Sequence, residues 1–278
     1  MSAAPGPAPL EVRRGGVTLR GEAAGEGPPV LLLHGLTATR RYVLHGSRVL
    51  ERAGHRVISF DARGHGESSP ADGPGAYTYE ALAEDAVAVL DAAGAERAMV
   101  VGQSMGGATA VRLALVHPER VAALAVVTPA HLGRPSADLE RWDRLACGLE
   151  RGGPEGFLEA LGPFTMADRW REVVRTVILQ RVGRHAHPGA VADALRGVPR
   201  TAAFEGLDAL AGIRAPTLVV GSRDEADPDH PLAVAEEYAR RIPGARLVVE
   251  EPGESPLAWR GGALSRELVE LAARADWG

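Results

Sequence analysis

Apolar residues along the chain fall into two alternating kinds of segment. Short runs of aliphatic and β-branched residues occupy 16–20, 29–33, 56–60, 98–102, 123–128, 216–221 and 245–250. Several are apolar throughout, the pattern of strands covered on both faces of a sheet. Between these runs the apolar positions recur at helical spacing. Residues 79–92 bring Leu82, Ala86, Val89 and Leu90 to one face, 107–116 follow the fourth run, and 232–241 and 265–274 are the last two helices. Strands alternating with helices predict an α/β fold with a mostly parallel sheet joined by right-handed crossovers.

The alternation stops between residues 129 and 212, where no strand pattern occurs. Residues 139–150 and 170–182 read as amphipathic helices, the second with Trp170, Val173, Val174, Val177 and Ile178 on one stripe. The expected organisation is a core built from 9–128 and 213–278, with 129–212 inserted as a helical cap over the strand ends. The cap segment carries 11 arginines against 11 acidic residues, so its net charge names no substrate. The Pro/Ala-rich first eight residues are expected to lack order.

Composition narrows the function class. The chain has 278 residues, long enough for one large domain with a full core. Net charge is −5 with no long basic run, which argues against nucleic acid as a partner. The longest apolar run, 121–127, is too short to span a bilayer, and the amino terminus has no apolar signal core. The expectation is a cytoplasmic protein without membrane contact, acting on a small molecule. Cys147 is the single cysteine, so an internal disulfide and a thiolate metal cluster are excluded. No cofactor or metal is expected. All 31 basic residues are arginine, which excludes a lysine Schiff base. Nine histidines are present, and none follows His230.

The segment Gly102-Gln-Ser104-Met-Gly106-Gly107 joins an apolar strand to a helix. A serine on so sharp a turn adopts a strained backbone, and small residues two positions either side avoid a clash. The turn lifts Oγ above the sheet at a helix N-terminus, where free N–H groups favour an oxyanion. Together with His34-Gly-Leu36 after an early strand, the loop Asp61-Ala-Arg-Gly-His65-Gly-Glu-Ser68, and Val219-Val-Gly-Ser-Arg-Asp224, this motif resembles the α/β-hydrolase fold family over most of the chain outside the cap. The resemblance implies Ser104 as nucleophile, the backbone N–H groups of Leu36 and Met105 as oxyanion hole, and Asp224 as triad acid, with Asp227 as runner-up. His34 and His65 are expected to hold loops by hydrogen bonds and not to carry protons. A serine in this place argues against the branches of the family that use aspartate, the epoxide hydrolases and haloalkane dehalogenases.

The family order is serine, acid, histidine, with the histidine after the last strand. There the chain reads Gly253-Glu254-Ser-Pro256. Three accounts stay open. In the first, Glu254 is the general base of an atypical Ser-Glu-Asp triad, its pKa lifted by burial or by Asp224. In the second, a histidine from elsewhere acts, with His131 at the cap boundary preferred and His230 second. In the third, hydrolysis has been lost, leaving a ligand-binding protein or a lyase or cyclase on the same scaffold. The first defines the expectation: a carboxylic ester hydrolase acting on a small or medium acyl substrate through an acyl-enzyme.

Overall fold

The computed structural model describes residues 6–277. Among them, eight strands form one sheet: β1 (Ala8–Arg14), β2 (Val17–Ala24), β3 (Pro29–Leu33), β4 (Arg56–Phe60), β5 (Ala98–Gln103), β6 (Val121–Val127), β7 (Thr217–Gly221) and β8 (Arg246–Val249). Their order across the sheet is β1-β2-β4-β3-β5-β6-β7-β8. Only the β1–β2 and β2–β4 pairings are antiparallel. This is the expected α/β architecture.

Side chains alternate across the strands, so consecutive residues feed two separate cores. Leu31, Leu33, Val100, Leu124, Val126 and Val219 pack on one face with α2 (Tyr79–Ala92), α3 (Met105–Val116) and α7 (Leu232–Arg241). Val30, Leu32, Met99, Val101, Leu218 and Val220 pack on the other with α1 (Val49–Arg52) and α8 (Gly261–Ala272). Burial on both sides explains why these runs lack a polar alternation.

One strand escaped the sequence reading. β1 buries only Val12, because it lies at the sheet edge, and its apolar signal is correspondingly weak. It turns into β2 through Gly15 and Gly16, both at positive φ (54° and 80°), which suits a two-residue hairpin loop. Of the first eight residues, 1–5 lie outside the described residues, and β1 already begins at Ala8.

Between β6 and β7 the chain forms α4 (Leu139–Leu161), α5 (Asp168–Val182) and α6 (Pro188–Gly197) and no strand. The expected helix over 139–150 is the first limb of α4, which bends at Gly153 (φ 60°, ψ −143°) just before Pro154. The insertion has its own core around Leu145, Leu149, Phe157, Ile178, Val191 and Leu195, and Leu36 and Trp259 of the main body pack against it. The stripe on α5 is narrower than expected. Val174, Ile178 and Val182 are buried, but Val173 is exposed. Among the described residues no helix is long and apolar enough to cross a membrane.

Candidate active site

Ser104 stands between β5 and α3 with φ 53° and ψ −114°. Three glycines make this turn possible. A Cβ on Gly102 would collide with the Gly106 carbonyl, and one on Gly106 with the Leu33 carbonyl. A Cβ on Gly35 would come within 3.4 Å of the Ser104 side chain, so the turn at His34-Gly35-Leu36 lies directly beside the nucleophile position. Met105 opens α3, and its N–H precedes any intrahelical acceptor. Neither Met105 nor Leu36 donates its N–H to a backbone acceptor among the described residues. Both remain available to an oxyanion.

Three buried histidines brace the loop that carries Leu36. His34 accepts from Ala62 N–H at Nε2 (2.9 Å) and donates from Nδ1 to the Gly35 carbonyl (2.8 Å). His65 donates from Nδ1 to the Arg63 carbonyl and faces Thr37 N–H with Nε2. His185, from the insertion, accepts from Gly66 N–H (2.9 Å) and donates to the Thr37 carbonyl (3.0 Å). Each ring uses one nitrogen as acceptor and is therefore neutral. Burial drives all three pKa values down, that of His185 to about 4. None of the three meets Ser104 Oγ. Ser68 Oγ donates to the Asp61 carbonyl (2.6 Å), and Asp61 accepts from Glu67 N–H and Arg40 N–H, which closes the same loop.

The side chain at Ser104 Oγ is His230, with Nε2 at 2.8 Å. Its Nδ1 lies 2.8 Å from both carboxylate oxygens of Asp227. A carboxylate only accepts, so Nδ1 carries the proton and Nε2 is left to accept from the serine hydroxyl. Asp227 and His230 share the short loop between β7 and α7, closed by His230 N–H donating to the Asp227 carbonyl (3.1 Å). Burial opposes the charged form of each, but their mutual attraction outweighs it. The His230 pKa is raised above the usual histidine value and that of Asp227 is held below the usual carboxylate value. The insertion clamps this loop. Ala167 N–H donates to the Glu225 carbonyl (3.0 Å), Arg169 pairs with Glu225, and Arg141 grips both oxygens of Asp229 (2.8 and 2.9 Å).

Three sequence expectations are corrected by this geometry. Asp224 is exposed and accepts from Leu232 N–H (2.9 Å), satisfying an orphan donor at the start of α7 instead of facing a base. Glu254 is about half exposed, and Arg260 holds its carboxylate at 3.0 Å. Its family register after the last strand is real, but the loop directs it to solvent. His131 accepts from Ala203 N–H (3.0 Å) and packs between Tyr79, tilted against it, and Phe204, edge to face, with burial lowering its pKa to about 4. Its Nε2 is spent on that amide, and among the described residues no hydrogen bond links it to Ser104. The sequence does carry a signal for His230: an Asp and a His three residues apart, each followed by a proline, come after β7. Ser104, Asp227 and His230 follow one another in the chain in the family's order of serine, acid and histidine, the last two three residues apart.

Comparison with known proteins agrees with the architecture. The family described as alpha/beta hydrolase fold matches residues 28–259. A protein of Azorhizobium caulinodans named as the carbamate hydrolase RutD is 33% identical over 233 residues, covering 81% of this chain and 83% of the relative. Among solved structures, an enol-lactonase from Burkholderia xenovorans is 26% identical with a TM-score of 0.76, covering 95% of this chain and all of that one. A thermophilic esterase from Thermogutta terrifontis is 26% identical with a TM-score of 0.79, covering 96% and 98%.

Proposed function

The chain belongs to the α/β-hydrolase fold family, and from that premise we propose that it is a serine hydrolase acting on a small or medium ester or related acyl substrate, with Ser104, His230 and Asp227 as its catalytic triad. The observation that carries this reading is the continuous pair of hydrogen bonds from Ser104 Oγ through His230 to Asp227. In the first step Ser104 Oγ bonds to the substrate carbonyl carbon while its proton passes to His230 Nε2. The carbonyl oxygen becomes an oxyanion, held by the N–H groups of Leu36 and Met105. Such donors are worth about 2.7–4 kcal/mol each in comparable sites. His230 then protonates the departing oxygen or nitrogen as the tetrahedral adduct collapses to the acyl-enzyme. Water repeats the sequence, losing its proton to His230 and releasing the acid. Asp227 stabilises the imidazolium throughout and fixes the tautomer.

The account in which hydrolysis has been lost rested on a missing base, and His230 supplies one. The relatives named as carbamate hydrolase, enol-lactonase and esterase all fit attack on a carbonyl bearing a heteroatom leaving group. The helical insertion 129–212 serves as the cap, closing over the site where its core meets Leu36 and Trp259. That apolar seam suits the alkyl part of an acyl group. A panel of 4-nitrophenyl esters from acetate to octanoate, with a lactone and a carbamate added, tests the reading. Turnover is expected for short and medium acyl chains above a background set by Ser104→Ala. Wild-type rates equal to that background for every member would overturn it.

A further inference from the structure

The turn that presents Leu36 is strained and held from outside. Ala38 N–H donates to the Gly35 carbonyl (3.0 Å), closing a four-residue turn whose third residue, Thr37, has φ 67°. That position ordinarily takes glycine, because a β-branched side chain is crowded at positive φ. Thr37 is 3% exposed, so its carbonyl needs a partner inside the protein. The partner comes from the insertion. His185, in the link between α5 and α6, gives its Nε2 proton to the Thr37 carbonyl at 3.0 Å and accepts Gly66 N–H at Nδ1 (2.9 Å). Ala186 N–H donates to the Gly66 carbonyl (2.8 Å), so two opposed bonds clasp this link to the 61–68 loop. The His65 ring stands edge-on to the His185 ring, 5.5 Å between centroids. The main body thus fixes the imidazole, and the imidazole fixes the turn.

The turn passes that bond on to the oxyanion site. In a trans peptide the carbonyl and the N–H lie in one plane and point opposite ways. His185 holds the peptide joining Thr37 and Ala38 by its carbonyl. The N–H of the same peptide holds the Gly35 carbonyl, and the other side of that next plane is the Leu36 N–H. The Leu36 side chain also packs into the core of the insertion. We propose that His185 is a positioning residue for the reaction, which aims the Leu36 N–H through the Thr37 carbonyl, so that the oxyanion hole is complete only while the insertion is docked. The proposal rests on the serine-hydrolase reading above and adds a catalytic task to the cap. His34 also holds the Gly35 carbonyl (2.8 Å) from within the main body, so loss of His185 misdirects the donor without removing it.

Two amide side chains separate the two bonds of the ring. Asparagine at 185 places its oxygen where Nδ1 stands and keeps the Gly66 bond, whereas glutamine places its nitrogen where Nε2 stands and keeps the Thr37 bond. His185→Asn is expected to lower kcat on 4-nitrophenyl butyrate by about 10- to 100-fold with KM within about threefold, because a misaligned donor loses less than a deleted one. It should weaken binding of an alkyl trifluoromethyl ketone by the same factor. In that adduct Ser104 Oγ bonds to the ketone carbon, the serine proton passes to His230, and the ketone oxygen becomes an oxyanion with no leaving group to expel. His185→Gln should recover most of both quantities. Equal losses in the two variants, or a loss confined to KM, would reduce His185 to a structural clasp and overturn the proposal. Nitrogen-15 NMR of the wild-type ring needs no variant. A neutral ring with its proton on Nε2 is expected, and a proton on Nδ1 would remove the Thr37 bond and contradict the proposal. An active wild type unaffected by His185→Asn would sink the proposal alone, whereas a wild type that neither turns over the ester nor takes up the ketone would sink the hydrolase reading with it.

Discussion

Replacing His230 by alanine is expected to lower kcat/KM for an ester by about 10⁴- to 10⁶-fold, while Glu254→Gln leaves it within about threefold. The contrast follows from position. His230 Nε2 is 2.8 Å from Ser104 Oγ and is the group placed to take its proton. Its loss removes the base for acylation, the acid for leaving-group departure and the base for deacylation together. Glu254 is a partly solvated carboxylate held by Arg260, and its amide analogue keeps an acceptor for that arginine. Steady-state kinetics on one ester with the two variants and the wild type checks both halves. The opposite ranking would return the base role to the loop after the last strand.

A second large effect concerns the fold beneath the site. Arg63 is buried in the loop between β4 and α2 and reaches fully buried Asp85 through two bonds, Nε at 2.7 Å and Nη2 at 2.8 Å, while Nη1 donates to the Ala76 carbonyl at 2.7 Å. Removing one member of such a pair strands the other charge away from water. Asp85→Ala is expected to cost about 3–5 kcal/mol, which at about 2–4 °C per kcal/mol lowers Tm by roughly 10 °C. Asp91→Ala removes an exposed acid paired with Arg120 and should cost under about 1 kcal/mol. Thermal unfolding of the two variants reads the difference. Equal shifts would show that the Arg63–Asp85 pair contributes no more than a surface contact. Because Arg63 carries the carbonyl that orients His65, and His65 faces the Thr37 amide, loss of the pair should also loosen the loop presenting Leu36.

Much of this architecture was legible in the residues alone. The continuous apolar runs 98–102 and 123–128 became the central strands because both faces of the sheet are covered. The helix over 79–92 and that over 232–241 begin and end where their apolar spacing begins and ends. Gly102 and Gly106 mark the strained turn around Ser104 because a Cβ at either position would strike backbone. What the pattern concealed was of two kinds. β1 carries a single buried residue, so an edge strand leaves little apolar trace. The proposed base, His230, ranks low in the sequence because motif register assigns a base by chain position, whereas proton transfer needs only an imidazole within reach of Oγ. The loop after β7 satisfies that need locally, placing acid and base three residues apart, and it leaves the carboxylate at 254 without a partner at the nucleophile. Asp224 lies nearer the strand end than Asp227, yet the helix start of α7 claims the nearer carboxylate and leaves the further one for His230.

Activation of Ser104 in the proposed mechanism depends on an imidazole that Asp227 holds. The most direct measurement is the rate of fluorophosphonate labelling at Ser104 as a function of pH, located by peptide mass spectrometry in wild type and His230→Ala. Burial lowers the His230 pKa, but the carboxylate of Asp227 more than offsets it, so the net shift is upward from 6.5. The base is competent only when deprotonated. Labelling is therefore predicted to rise with pH through a single titration with its midpoint above 6.5, and to vanish in His230→Ala. A midpoint in the carboxylate range near about 4–5, or a rate that survives the loss of His230, would contradict the assignment.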